Sequence, residues 1–425
     1  MLGKPPLSPR TKPAPSKFYS RAETLPHLSN EIFGLIIESL GEDIPTLRSC
    51  SLVSSVFHHF CSPILYRNIE LGKKKLESFF QLGERSVCLM HTKSLSLVYE
   101  PEIGVKNYPG KFYKILDTIS QKTSLKTLRL HNIPLRVEPF TASLLSKLST
   151  VTVLTIEQCY LRGFEDFVSF IRCFPRCQVL RLRYNSWPPG LPNQWFRDLP
   201  TYDLAPTHLE ITNALPEPWG VTQLSNQGRI VGMPWLNLAG IKSFTYVIQA
   251  ASVSRPVVGD IATCELLEVV DMDAASVSRN FGKQEPFHSS RSNTNKVVYL
   301  AIEQLTLLIG RIKSLTLRCP SQVLPWGFSC SSDSQFPPSA TLERLRFITS
   351  GPSPMPTCCR LLDNTFSDTD RYPSLVEFEL VRSVEVRRIG GRVSEETHAR
   401  LVHLDKFLPR LKGLGRLPTD GTQNV

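Results

Sequence analysis

A chain of 425 residues is too long for one small domain and suits two or three units, or a small domain joined to an elongated one. Its 41% hydrophobic and 20% charged residues are the composition of an ordinary soluble protein able to bury a sizeable core. Lys and Arg outnumber Asp and Glu by 49 to 38, but the surplus of +11 is spread along the chain. No dense basic run with interleaved aromatics occurs, which argues against a nucleic-acid partner and for a solvated surface.

Residues 1–24 hold Pro5, Pro6, Pro9, Pro13 and Pro15 with Lys4, Arg10, Lys12, Lys17 and Arg21 scattered between them. Few apolar groups and many prolines cannot offset the entropy of ordering, so this segment reads as a disordered basic tail.

From Leu25 to Leu71 the pattern is helical. Leu28, Ile32, Ile36 and Leu40 recur at a spacing of four, with Leu35 and Ile37 beside them. Asp43 is placed to cap a second helix with Pro45 in its first turn, where a missing N–H costs nothing. Leu47, Cys50, Leu52 and Val53 continue at helical spacing, followed by Val56, Phe57, Phe60, Cys61, Ile64 and Leu65. Two or three short helices are predicted. They hold more apolar side chains than so small a unit can bury within itself, so they must lean on a neighbouring domain or on another protein.

The order of these residues resembles the F-box, the helical module that recruits a Skp-type adaptor to cullin ubiquitin ligases, in the form common in mushroom-type fungi. The matching elements are Leu28-Ser29-Asn30-Glu31-Ile32, Ile36-Ile37-Glu38-Ser39-Leu40, Pro45-Thr46-Leu47, Cys50-Ser51-Leu52-Val53 with Phe57, and Leu65-Tyr66-Arg67-Asn68-Ile69. Ser29 stands where that family usually has proline, and Phe57 where tryptophan is frequent. The resemblance implies adaptor contacts at Leu28, Ile32, Ile36, Leu40, Pro45, Leu47, Val53 and Phe57. Some of these must pack the module on itself, and the sequence does not divide them.

From Val87 onward, phrases with apolar residues two apart recur, as half-buried strands require. They are Leu95/Leu97, Leu128/Leu130, Leu154/Ile156, Leu180/Leu182, Leu209/Ile211, Phe244/Tyr246, Leu267/Val269, Leu315/Leu317, Leu345/Phe347 and Phe378/Leu380. The first intervals are 33, 26, 26 and 29 residues, and helical stretches such as 112–119, 140–148 and 164–174 lie between. One strand and one helix per repeat is similar to the leucine-rich repeat, with Asn132 and Cys159 just after their strands, where that family's turn residue sits. The predicted fold class is α/β: a small all-α F-box-like module over 25–71, then an irregular leucine-rich-repeat-like solenoid over 87–411. An ordinary α/β domain with crossover helices is the alternative. Insertions are predicted near 274–295 and 320–340, a capping helix over 397–411, and a flexible tail over 412–425.

Candidate chemistry is sparse. Gly104 to Lys111 has one residue too many for a phosphate loop, and Phe112 stands where magnesium chemistry needs Ser or Thr. Asp271 and Asp273 form a carboxylate pair with no nearby base or glycine loop, so solvation is the simpler use. The eleven cysteines contain no C-x-x-C, and His58 and His59 have no partner at ligand spacing, so neither metal nor cofactor is expected. The N-terminus has no secretory pattern, and the apolar run Val297 to Ile309 is broken by Glu303 and Gln304, which speaks against a membrane span. A reducing compartment, cytosol or nucleus, is implied. The resemblance implies a non-catalytic receptor that binds the adaptor, and through it cullin, and holds an unknown protein target on its repeats. The alternative is a repeat scaffold whose first helices only cap the solenoid, and a weaker one is an α/β enzyme.

Overall fold

The structure is a computed structural model. It describes residues 29–72, 90–99, 115–119, 125–135, 147–161, 164–185, 204–212, 240–247, 266–273, 309–320, 338–350, 356–385, 396–400 and 408–417, with a few short pieces between them. The predicted tail 1–24, Leu28, the 104–111 segment, and most of the predicted insertions lie outside the described residues. The chain divides into two units, one ending at Arg67 and the other beginning at Asn68.

Caps and turns set the helices of the first unit. α1 (Asn30–Ser39) is ended by Gly41, whose φ of +58 is the left-handed conformation that closes a helix at little cost only for glycine. α2 (Ile44–Ser51) starts at Asp43, whose carboxylate accepts the Thr46 backbone N–H at 3.2 Å and the Thr46 hydroxyl at 2.7 Å. Those bonds stabilise the ionised form and hold the Asp43 carboxyl below its usual range. α3 (Ser55–Leu65) is capped by the Ser54 hydroxyl, which accepts the Phe57 N–H at 3.3 Å. Ile37, Leu47 and Cys61 form the buried centre where the three helices meet. A Cβ on Gly34 would stand 3.3 Å from the Phe60 ring, so α1 crosses α3 closely there.

The second unit begins with strands β1 (Asn68–Leu71), β2 (Ser94–Val98), β3 (Thr127–His131), β4 (Pro134–Leu135), β5 (Val153–Glu157), β6 (Tyr160–Leu161), β7 (Val179–Arg183) and β8 (His208–Thr212). It continues with β9 (Gln223–Leu224), β10 (Ile230–Val231), β11 (Ser243–Val247), β12 (Val269–Asp273), β13 (Ser314–Pro320), β14 (Arg344–Ser350), β15 (Glu377–Glu385) and β16 (Glu396–Arg400). One sheet has the order β1-β2-β3-β5-β7-β8-β11-β12-β13-β14-β15-β16. Every pairing from β1 to β15 is parallel, and β15–β16 is antiparallel. Each strand of this sheet lies beside the next one in sequence, so the chain advances in one direction without doubling back. This is an α/β solenoid.

Alternation dictates the register. Leu95, Leu128, Leu154, Leu180 and Leu209 align in one buried row, and Leu97, Leu130, Ile156, Leu182 and Ile211 in the next. A one-residue slip would turn both rows to solvent, so burial locks the stack. Parallel strands need crossovers, and the helix Phe164–Arg172 supplies one, burying Phe167, Phe170 and Ile171 at helical spacing. Residues 115–119 are helical as well and bury Ile115, Leu116 and Ile119.

Strands β3, β5 and β7 are each followed by a left-handed residue: Asn132 (φ 58), Gln158 (φ 52) and Tyr184 (φ 52). Their N–H groups donate to the last residue of the next strand, to the carbonyls of Glu157, Arg183 and Thr212 at 2.8, 2.8 and 2.6 Å. The chain then turns out of the sheet, and after β3 and β5 it forms the short parallel ladder β4–β6. The inward turn position is therefore the following residue, Ile133, Cys159 and Asn185, all buried. Asn185 accepts the Cys159 N–H at 2.9 Å and donates to the Ile156 carbonyl at 3.0 Å, bridging two turns of the stack. Cys159 occupies the predicted turn position, whereas Asn132 is one residue early and donates to the Tyr99 carbonyl instead.

At the other end the predicted helix over 397–411 is β16 followed by a shorter helix, Pro409–Gly413. Asp363, buried on the helix Pro356–Phe366, accepts the N–H groups of Leu411 (2.9 Å) and Arg410 (3.2 Å). Arg416, inside the predicted flexible tail, is buried and donates to the carbonyls of Phe366 (2.5 Å) and Tyr372 (2.8 Å). Two further boundaries move. Asn68–Leu71, read as the close of the helical module, pairs with β2, and β12 buries Val270 and Met272, three residues beyond the predicted start of its phrase.

Candidate docking surfaces

α1 is apolar on two sides. Phe33, Ile37 and Leu40 face the other helices, with the Phe33 and Phe57 rings 4.9 Å apart in an edge contact. Ile32, Leu35 and Ile36, at i, i+3 and i+4, form the opposite side and are 42%, 65% and 40% exposed. At the turn between α2 and α3, Leu52 and Val53 are 87% and 71% exposed.

These positions divide the predicted adaptor contacts. Ile32, Ile36 and Val53 stand in solvent with Pro45. Leu47 is completely buried, and Leu40 and Phe57 are half-buried against the same centre, so these three hold the unit together. Leu35 and Leu52 share the exposure of Ile32, Ile36 and Val53, although neither is among the predicted contacts. A four-residue stripe in a sequence hides a second stripe one position away, and Leu35 belongs to that one.

The second surface is the polar face of the sheet. Arg129 donates to Glu157 at 2.7 and 3.1 Å, Arg183 to both oxygens of Glu210 at 2.5 and 2.9 Å, and Arg346 lies 2.8 Å from Glu379. The bonds from Glu210 push the Arg183 pKa up, because they favour its charged form. Asp271 sits between Thr245 and Thr316 in register, and Asp273 between Val247 and Arg318.

Among the described residues no group of three His, Cys, Asp or Glu is placed to hold a metal ion. Cys159 and Cys177 are buried thiols, and burial raises both from the ordinary 9.0 to about 12, so neither is a nucleophile near neutral pH. No helix among the described residues is long and apolar enough to cross a membrane. No protein-family model and no curated protein matches the chain.

Proposed function

We propose that this protein is the substrate-recognition subunit of an SCF-type ubiquitin ligase. Its first unit acts as an F-box that docks a Skp-type adaptor, and cullin through it. Its leucine-rich-like solenoid holds a protein target. The observation that carries this reading is the solvent-facing apolar set Ile32, Leu35, Ile36, Leu52 and Val53, on a unit whose fully buried centre is three residues.

Covering a fully exposed large aliphatic side chain is worth roughly 1.5–3 kcal/mol, and the part-exposed Ile32 and Ile36 a share of that. Several on one small unit mark an interaction surface rather than ordinary scatter. The order of the F-box-like elements in the sequence names the partner. The alternative, helices that only cap the solenoid, leaves the exposure of these five residues without a use. In the receptor reading the protein makes no covalent bond itself. It raises the effective concentration of target lysines beside the transfer machinery. The buried, free thiols of Cys61, Cys159 and Cys177 suit a reducing compartment, cytosol or nucleus.

The test is co-purification of the tagged full chain from a eukaryotic lysate with immunoblots for adaptor and cullin. Recovery with the parent and loss with Leu35→Asp/Ile36→Asp, folded by circular dichroism, supports the reading. No adaptor with the parent, where a known F-box protein recovers it, overturns it.

A further inference from the structure

The polar face of the sheet is as regular as its core, because side chains alternate between the two. Register sets Arg129 of β3, Thr155 of β5, Arg181 of β7 and Glu210 of β8 in one row, with Glu157 and Arg183 paired one row further on. Three guanidinium groups here share two carboxylates. Arg183 occupies both oxygens of Glu210, and Arg129 spends its Nε and Nη2 on one oxygen of Glu157. Arg181 meets Glu210 only through Nε, at 3.3 Å, and its side chain is 42% exposed. Its two terminal nitrogens find no acceptor among the described residues. Between Arg129 and Arg181 in register lies the short, buried Thr155. At the ordinary strand spacing of ~4.8 Å, those two arginines start about 10 Å apart.

We propose that this face binds an acidic segment of a protein partner. One carboxylate accepts the terminal nitrogens of Arg181, and a second reaches the remaining nitrogen of Arg129. In a polyproline II segment, with three residues per turn and ~3.1 Å per residue, acidic residues three apart lie on one face about 9 Å from each other, close to that separation. A planar guanidinium fork with its end free is shaped for a carboxylate, which takes two parallel bonds from it. Nucleic acid fits less well, since a phosphate on every nucleotide would be drawn over Glu157 and Glu210 on the same face. The proposal names the chemistry of the target within the receptor reading. It stands on the sheet alone, so a failure of adaptor binding leaves it intact.

The test is fluorescence anisotropy of a labelled peptide of repeated Glu-Ser-Ser-Glu against the full chain, beside the same peptide with Gln for Glu. The acidic peptide binds and the Gln peptide does not. Arg181→Gln weakens binding about tenfold, the value of one charge-assisted bond. Arg181→Lys, which keeps the charge and loses the fork, falls between, and Arg48→Gln in the other unit changes nothing. Because the Arg181 side chain makes a single long contact, its variants melt as the parent does. Equal binding by the parent and Arg181→Gln overturns the proposal. So does absence of binding to the acidic peptide, or tighter binding of single-stranded DNA of the same charge.

Discussion

Replacing Asn185 by Ala tests whether the turns of the solenoid are locked to one another as the hydrogen bonds indicate. The Asn185 side chain is buried, accepts the Cys159 N–H at 2.9 Å and donates to the Ile156 carbonyl at 3.0 Å, both on the preceding turn. Ala leaves one buried donor and one buried acceptor without their side-chain partner. At about 1–3 kcal/mol for each stranded group, the loss is about 3 kcal/mol. Solenoid stability is a sum of repeat and interface terms, so the damage concentrates between β5 and β8. Native-state hydrogen exchange reads it directly: the Cys159 amide loses about a hundredfold of protection, the equivalent of ~3 kcal/mol. Asn132→Gly is the control. It keeps the left-handed backbone at φ 58 and loses a single half-exposed bond to the Tyr99 carbonyl, for about 1 kcal/mol. Protection of Cys159 unchanged in Asn185→Ala would refute the reasoning.

Asp363→Ala strands the N–H groups of Arg410 and Leu411, at a cost of about 3 kcal/mol, and loosens the last helix. Trypsin then cleaves after Arg410 and Lys412 faster than in the parent, and an unchanged rate contradicts the capping role. Alkaline pH erodes stability through the buried thiols. In the unfolded chain they ionise near 9.0, and in the fold burial delays Cys159 and Cys177 to about 12. Their contribution is intact below pH 9 and is lost as pH rises towards 12. The urea midpoint therefore falls across that window, less steeply in Cys159→Ala/Cys177→Ala. Equal slopes would contradict the assignment.

The sheet was readable in advance because a half-buried strand writes its register as apolar residues two apart, and most of the predicted phrases are strands. The misses share a cause: alternation or periodicity that fits more than one element. Leu267 and Val269 alternate like a strand pair, yet Leu267 is buried just before β12 and the inward pair is Val270 and Met272. Leu408 and Leu411 are buried at the helical spacing that suggested the capping helix, but Thr397 to Arg400 pair with β15. Asn185 carries a legible signal, its 26-residue spacing from Cys159, which matches the interval between strand phrases. In the first unit, residues 32, 35, 36, 37 and 40 are all apolar, so no pattern could tell inside from outside. Packing decides it: Leu47 is enclosed by three helices, and Ile36 is not.

The affinity of the purified full chain for a purified Skp-type adaptor, measured by isothermal titration calorimetry, decides whether the outer side of α1 is a docking face. Ile36 is 40% exposed, so Ile36→Asp costs about 1–2 kcal/mol of folding stability, the buried share of an isoleucine. Measurable binding by the parent is expected, with at least about tenfold loss in folded Ile36→Asp, since burying a charge at an apolar contact forfeits roughly 1.5–3 kcal/mol or more. Equal affinity of parent and variant, or no heat of binding with either, would contradict it.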